Sequence, residues 1–224
     1  MSNSKISAGI IALAACILLA GAVLLSQRPF TRWERTIINN SGDVMYVTVM
    51  PQDSAILRAP SVDFSLRELH SKELKTLMAK MLSTVTDPSQ DGVGIAAPQV
   101  GINKRLVWVQ RLDKEGEPFE CYLNIRIDTL MGAQNPGPEG CLSVPGMRGI
   151  VPRYESVGIS YVNPETLEHQ KETITGFTAV IFQHECDHLD GVLYIDKADS
   201  VFRDQKWTAE LGQYNYDRPD WWKD

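Results

Sequence analysis

The chain has 224 residues, a formal net charge of −6 and four cysteines. Its acidic balance argues against a general nucleic-acid-binding protein, which normally carries a basic surface, so no specific nucleic acid partner is expected. One cysteine, Cys16, lies in an apolar run, and the other three form no even set, so a disulfide scaffold is not predicted. The length outside that apolar run suffices for one domain with an ordinary hydrophobic core.

Residues 6–26 contain no charged side chain. As a helix this run would be about 30 Å long, close to the hydrocarbon thickness of a bilayer. We therefore predict that residues 1–26 form a transmembrane-type helix, a hydrophobic membrane anchor or signal segment. Two alternatives remain: a secretory signal cleaved near Ala20-Gly21-Ala22, and acylation at Cys16.

The charges that flank this run predict its orientation. Lys5 is the only basic residue before it, whereas Arg28, Arg32 and Arg35 follow it closely. By the positive-inside rule, the domain that follows lies in the cytoplasm. We therefore predict that the protein is anchored in the membrane with its catalytic domain in the cytoplasm. The alternative is that the protein is exported.

Behind this segment, residues 27–43 read as a polar tether with turn-forming residues. The short β-branched run 44–50 predicts a strand, and apolar residues at one-face spacing predict a helix over 65–83. Residues 91–101 are glycine-rich, strands are predicted over 105–112, 122–127 and 156–163, and the Pro- and Gly-rich stretch 135–149 predicts an irregular loop.

The run from Gly176 to Gly191 is apolar on every side until its histidines, which predicts a buried central helix. Strands before and around one helix indicate an α+β fold in which antiparallel sheets pack around that helix. We assign this fold to a catalytic domain over residues 44–200, followed by an aromatic-rich tail over 201–224.

The buried helix carries the sequence QHECDHLDG at residues 183–191. His184 and His188 are four apart and share one helix face, and Glu185 between them can reach a water on a metal ion, the pattern of metal-dependent hydrolases. A catalytic site needs three protein ligands and an open position, whereas a structural site is closed by four. Cys141, in the loop sequence EGCLS, is a candidate third ligand.

Three stretches in order, GVGIAAPQVG, EGCLSVPGMRG and QHECDHLDG, closely resemble the signature motifs of peptide deformylases, and the wider match runs from about residue 56 to about 197. The resemblance implies that Cys141, His184 and His188 hold one divalent metal ion. It implies Fe²⁺ in the cell, easily replaced by Zn²⁺ or Ni²⁺, and a thiolate with two imidazoles suits such ions.

The resemblance also implies roles for other residues. Glu185 would be the general acid/base, and Gln99 with the backbone N–H of Leu142 would stabilise the oxyanion. The substrate-binding residues would be two glycines that let the substrate backbone approach, Gly92 and Gly94, and three side chains near the pocket for the leading methionine, Arg148, Val180 and Ile181.

The predicted function is removal of the formyl group, as formate, from N-formylmethionyl peptides. The predicted partners are such peptides, including nascent chains at the ribosome, and the membrane through residues 6–26. One alternative is an amidase or peptidase of the same fold that acts on a different peptide. The other is a non-catalytic module with a structural metal site, for which the further His or domain Cys candidates are His70, His169, Cys121 and Cys186.

Overall fold

A computed structural model of the chain describes residues 28–90, 92–204 and 218–222. Its helices are α1 (Arg32–Asn40), α2 (Ser54–Leu57), α3 (Leu66–Leu69), α4 (Lys72–Val85) and α5 (Gly176–Leu189), with short 3₁₀ turns at Ala97–Val100 and Tyr194–Asp196. Its strands are β1 (Gly94–Ala96), β2 (Leu106–Gln110), β3 (Phe119–Gly140), β4 (Met147–Val162), β5 (His169–Thr175) and β6 (Ser200–Arg203).

The strands form one six-stranded antiparallel sheet in the order β1-β2-β3-β4-β5, and β6 pairs with the first residues of β4. The two long strands, β3 and β4, pair from Leu123 with Val162 to Gly140 with Arg148, with register shifts that bend the ribbon. The α+β class with an antiparallel sheet is therefore observed, as one sheet rather than several.

The buried helix α5 lies against this sheet. Ala179, Phe182, Cys186 and Leu189 are buried in one apolar cluster with residues of β2, β3, β4 and β5. The helix ends at Leu189. Two residues later Gly191 has φ +73°, and an added Cβ there would come 2.4 Å from the Arg58 carbonyl oxygen. Only glycine meets both conditions, so this residue fixes where the metal-motif helix stops.

The fold prediction is wrong in its N-terminal transmembrane helix. None of the helices within residues 28–90, 92–204 and 218–222 is long and apolar enough to cross a bilayer. The predicted segment, 6–26, lies outside the described residues. Because the described residues contain no such helix, the prediction that the protein is anchored in a membrane is withdrawn.

Several local predictions also differ from the structure. The segment predicted as a polar tether, 27–43, contains α1, which begins with a capping box between Thr31 and Glu34 and buries Ile37 and Ile38. The predicted helix 65–83 is two helices, because Ser71 caps the start of α4 through the Leu74 N–H. The predicted strand 44–50 joins no sheet.

The predicted loop 135–149 is mostly strand. Residues 135–140 pair with 148–153, and only 141–146 form the connecting turn. From the predicted tail, 201–203 belong to β6, and 218–222 return to the domain, where Trp222 packs near Trp33 and Tyr46. Residues 205–217, 223 and 224 lie outside the described residues.

Candidate metal centre

Three potential metal ligands converge where α5 passes the turn between β3 and β4. One ligand atom from each of Cys141, His184 and His188 lies within 4.8 Å of the others. The Cys141 Sγ is 3.2 Å from the His188 Nε2, and the two imidazole rings are 5.1 Å apart. Among the described residues this group has three members, so no fourth side chain closes the site.

The donor set fits a divalent ion. At ordinary zinc distances, a sulfur and a nitrogen on one tetrahedral ion lie about 3.6 Å apart, close to the observed separation of Cys141 and His188. The Nδ1 of His184 is 2.8 Å from the Glu139 Oε2, so its Nε2 is the nitrogen that could bind a metal ion. The residues present therefore match a three-ligand metal centre with room for solvent.

The cysteine is positioned by the turn that joins β3 to β4. The Ser143 N–H donates to the Cys141 Sγ at 3.4 Å, and the Val144 N–H donates to the Cys141 carbonyl at 3.0 Å. The thiolate is the form of a cysteine side chain that binds metal. These two backbone hydrogen bonds hold Cys141 in place within the turn.

A buried ion-pair network supports His184 from behind. Arg153 donates to both carboxylate oxygens of Glu139, at 2.7 and 2.9 Å, and also to Asp187 at 2.6 Å. Burial alone would raise the pKa of Glu139, but hydrogen bonds with Arg153 and His184 lower it to about 2. The carboxylate therefore stays charged and fixes the His184 tautomer and ring orientation.

Glu185 lies beside the cluster with its carboxylate buried. The residue is 4% exposed, and its Oε2 has no hydrogen-bond partner among the described residues. Burial raises its pKa to about 7. An added Cβ at Gly94 would come 2.6 Å from the Glu185 Oε1, so glycine at this position makes room for the carboxylate.

Gln99 lies on the opposite wall, on the 3₁₀ turn that follows β1. Its Oε1 accepts the Ala96 N–H at 2.9 Å, which fixes the amide orientation. Its Nε2 points toward the cluster, 3.3 Å from the Ser143 Oγ and 3.6 Å from the Cys141 Sγ. The amide donor is thereby held at the metal cluster rather than in solvent.

A cleft of about 270 Å³ opens onto this cluster. The predicted substrate-binding residues all line it: Gly92, Gly94, Arg148, Val180 and Ile181. The cleft is also lined by Leu142, Gln99, Glu185, Cys141 and His184. His188, the remaining predicted ligand, is buried behind these residues. The structure brings every sequence-predicted site residue into one place.

Sequence reasoning missed Glu139, Arg153 and Ser143, which hold the ligands and Gln99 in place. Glu139 and Ser143 each lie two residues from Cys141 inside a motif already singled out, and this proximity was the available signal. Arg153 lies in no motif, and only the pairing of β3 with β4 brings it to Glu139. His70, His169, Cys121 and Cys186 are not part of the cluster.

Comparison with known proteins agrees with this site. Residues 45–204 match the family model described as polypeptide deformylase. A peptide deformylase from Leptospira biflexa is 41% identical over 153 residues, which cover 65% of this chain and 84% of that protein. Peptide deformylase 2 from a Nostoc species is 38% identical over 141 residues, 60% of this chain and 77% of that protein.

Solved structures give the same result. The actinonin-bound class I type b peptide deformylase from Acinetobacter baumannii superposes with a TM-score of 0.62 at 36% identity, covering 70% of this chain and 99% of that one. The Synechococcus elongatus enzyme in complex with actinonin gives 0.62 at 31% identity, covering 77% and 86%. The chain belongs to the polypeptide deformylase family, the metal-dependent hydrolases that remove N-formyl groups from peptides.

Proposed function

We propose that Cys141, His184 and His188 hold the catalytic ion with which this chain removes the formyl group from N-formylmethionyl peptides. We propose Fe²⁺ as the ion in the cell, with Zn²⁺ or Ni²⁺ as replacements, since one thiolate and two imidazoles suit these borderline ions. Such an ion acidifies water and polarises a carbonyl oxygen. Nascent chains that leave the ribosome are the proposed physiological substrates.

The observation that carries the proposal is the buried carboxylate of Glu185, whose Oε2 has no hydrogen-bond partner among the described residues, beside a three-ligand cluster at the end of a cleft. With a pKa near 7, this group exchanges a proton readily at neutral pH. In our assignment it takes a proton from the attacking water and delivers it to the departing amine of the methionyl peptide. Formate and a free N-terminus are the products.

Two donors are proposed to stabilise the negative charge that develops on the formyl oxygen. The Nε2 of Gln99 is aimed at the cluster by the bond between its Oε1 and the Ala96 N–H. The backbone N–H of Leu142 makes no hydrogen bond to the described residues, so it is available to a substrate oxygen. Fixed donors of this kind stabilise the transition state more than the ground state.

The substrate is proposed to lie along the glycines of the cleft. Gly92 and Gly94 carry no side chain to obstruct an extended backbone, and the first side chain enters the apolar part of the cleft beside Val180 and Ile181. Arg148 lines the same cleft at its more exposed end. A Met-Ala-Ser-bound structure of the Acinetobacter baumannii relative, 36% identical, supports a peptide beginning with methionine as the occupant.

The test is formate release from formyl-Met-Ala-Ser, compared with acetyl-Met-Ala-Ser under the same conditions. The parent protein should release formate from the first peptide and leave the second intact. Glu185→Gln should keep its metal and lose about 10²- to 10⁴-fold in turnover. The exposed Glu168→Gln serves as the control and should match the parent protein.

Metal analysis separates the ligand assignment from the chemistry. Cys141→Ala should purify with a lower metal content, because a thiolate ligand has been removed. Full activity of Glu185→Gln would refute the general-base assignment. Unchanged metal content in Cys141→Ala would refute the ligand assignment.

A further inference from the structure

At the open end of the substrate cleft, Arg148 on β4 forms an ion pair with Asp204, the residue that follows β6. The Arg148 Nε donates to the Asp204 Oδ2 at 2.6 Å, and both residues line the cleft. Arg148 is 42% exposed, whereas Gln99 and Glu185 at the inner end are almost fully buried. Exposure thus increases from the inner end of the cleft to the Arg148–Asp204 pair. In the proposed binding mode, the substrate residues after the leading methionine leave the cleft at this pair.

Backbone structure fixes both partners. Arg148 lies on β4 with Gly140 of β3 on one side and Phe202 of β6 on the other. An added Cβ at Gly140 would be 3.8 Å from the Arg148 Cζ, an ordinary contact distance, so the guanidinium lies directly beside this residue. The Asp204 N–H donates to the Gly146 carbonyl at 3.0 Å, so the backbone of Asp204 is held to the turn between β3 and β4.

The bond to Asp204 uses only the Nε of Arg148. Its two terminal amino groups donate to no other protein atom among the described residues, so they remain as donors at the cleft mouth. A guanidinium binds carboxylates through such paired donors. Asp204 both orients this group and offsets its positive charge.

We propose that Asp204 is a specificity-determining residue: by pairing with Arg148 it suppresses a preference for acidic side chains at the second and third positions of the peptide. This inference rests on the proposed function. Without the Asp204 charge, Arg148 would attract an acidic substrate residue and repel a basic one. With it, the enzyme accepts both, as suits a substrate class that varies after the first residue.

The experiment measures kcat/KM for formate release from formyl-Met-Asp-Ser, formyl-Met-Lys-Ser and formyl-Met-Ala-Ser, and from the same set with the charged residue in third position. The ratio of Asp to Lys peptides should rise at least threefold in Asp204→Asn at one of the two positions. The rise should shrink at high salt, because the contact is exposed. Asp204→Glu should restore the parent ratio.

The pair of Asp63 and Arg126 supplies a matched control. It has the same chemistry, a distance of 2.9 Å and side-chain exposures of 18% and 46%, against 14% and 42% for Asp204 and Arg148, and it does not line the cleft. Asp63→Asn changes net charge equally and should leave the peptide ratio unmoved.

An unchanged ratio in Asp204→Asn at both positions, or an equal rise in Asp63→Asn, would overturn the inference while formate release continues. Absence of formate release from all of the peptides in the parent protein would instead overturn the proposed function itself.

Discussion

Glu139 should control how tightly the chain holds its ion, although it is not a ligand. Its Oε2 is 2.8 Å from the Nδ1 of His184, and its two oxygens accept hydrogen bonds from Arg153 at 2.7 and 2.9 Å. The substitution Glu139→Gln keeps the shape and removes the charge. Partners behind a metal-binding histidine are worth about 10- to 100-fold in metal affinity.

The same substitution weakens a buried ion pair, so it also lowers stability. Breaking such a pair costs about 3–5 kcal/mol when the remaining charge is left unpaired. Arg153 keeps its bond to Asp187, at 2.6 Å, and the glutamine keeps one acceptor oxygen. We therefore expect the metal-free protein to lose about 2–3 kcal/mol of unfolding free energy, below that full range.

The assay is competition for Zn²⁺ with a chromogenic chelator, together with urea unfolding of the metal-free protein. The exposed Glu165→Gln changes charge equally and should leave both quantities at the parent value. If Glu139→Gln bound metal within twofold of the parent protein, the reasoning that this carboxylate orients His184 would be refuted. A loss of stability alone would then reflect only the bond with Arg153.

Two further substitutions test other contacts. Gly94→Ala should lower kcat/KM more than tenfold while metal content stays intact, because its Cβ would come 2.6 Å from the Glu185 Oε1; a fully active variant would show that the carboxylate moves aside freely. Arg111→Met should cost about 3–5 kcal/mol in urea unfolding, since Arg111 is buried and bonds Asp113, Glu120 and Glu172. Lys114→Met, which removes an exposed partner of Glu120, should change stability by under about 0.5 kcal/mol, and equal effects would contradict this distinction.

The metal motif was predictable because its information is local. His184 and His188 lie one helical turn apart, and an apolar surrounding sequence predicts a buried helix, so helix geometry alone brings the rings together. Cys141 is 43 residues before His184, and no periodicity connects them. Its place came from the ordered resemblance of three motifs, which the geometry of the cluster now supports.

The long hairpin was missed because prolines and glycines normally mark loops. Pro136 and Pro152 lie opposite each other in register. Neither has an N–H to donate, so this pairing leaves no backbone donor unsatisfied. The ribbon tolerates residues that would break a central strand, and for that reason β3 can carry Glu139 directly to the metal cluster.

The segment 44–50 illustrates what a sequence pattern cannot reveal. Its β-branched residues predict a strand, but it joins no sheet, and its backbone hydrogen bonds go to two turns instead. The Thr48 N–H donates to the Gln99 carbonyl and the Met50 N–H to the Ser143 carbonyl, both at 2.8 Å. One short stretch thus joins the turn that carries the amide donor to the turn that carries the thiolate.

This bridge explains why the site needs more of the chain than its three motifs. Between the Gln99 turn and the Cys141 turn, the Gln99 Nε2 makes two side-chain hydrogen bonds, at 3.3 and 3.6 Å. The backbone bonds from residues 48 and 50 add two fixed links, and Tyr46 and Val49 anchor the same stretch to the buried Asp53 carboxylate. Because catalysis requires donor and ligand within a fraction of an ångström of their working positions, residues that never touch the substrate set that separation.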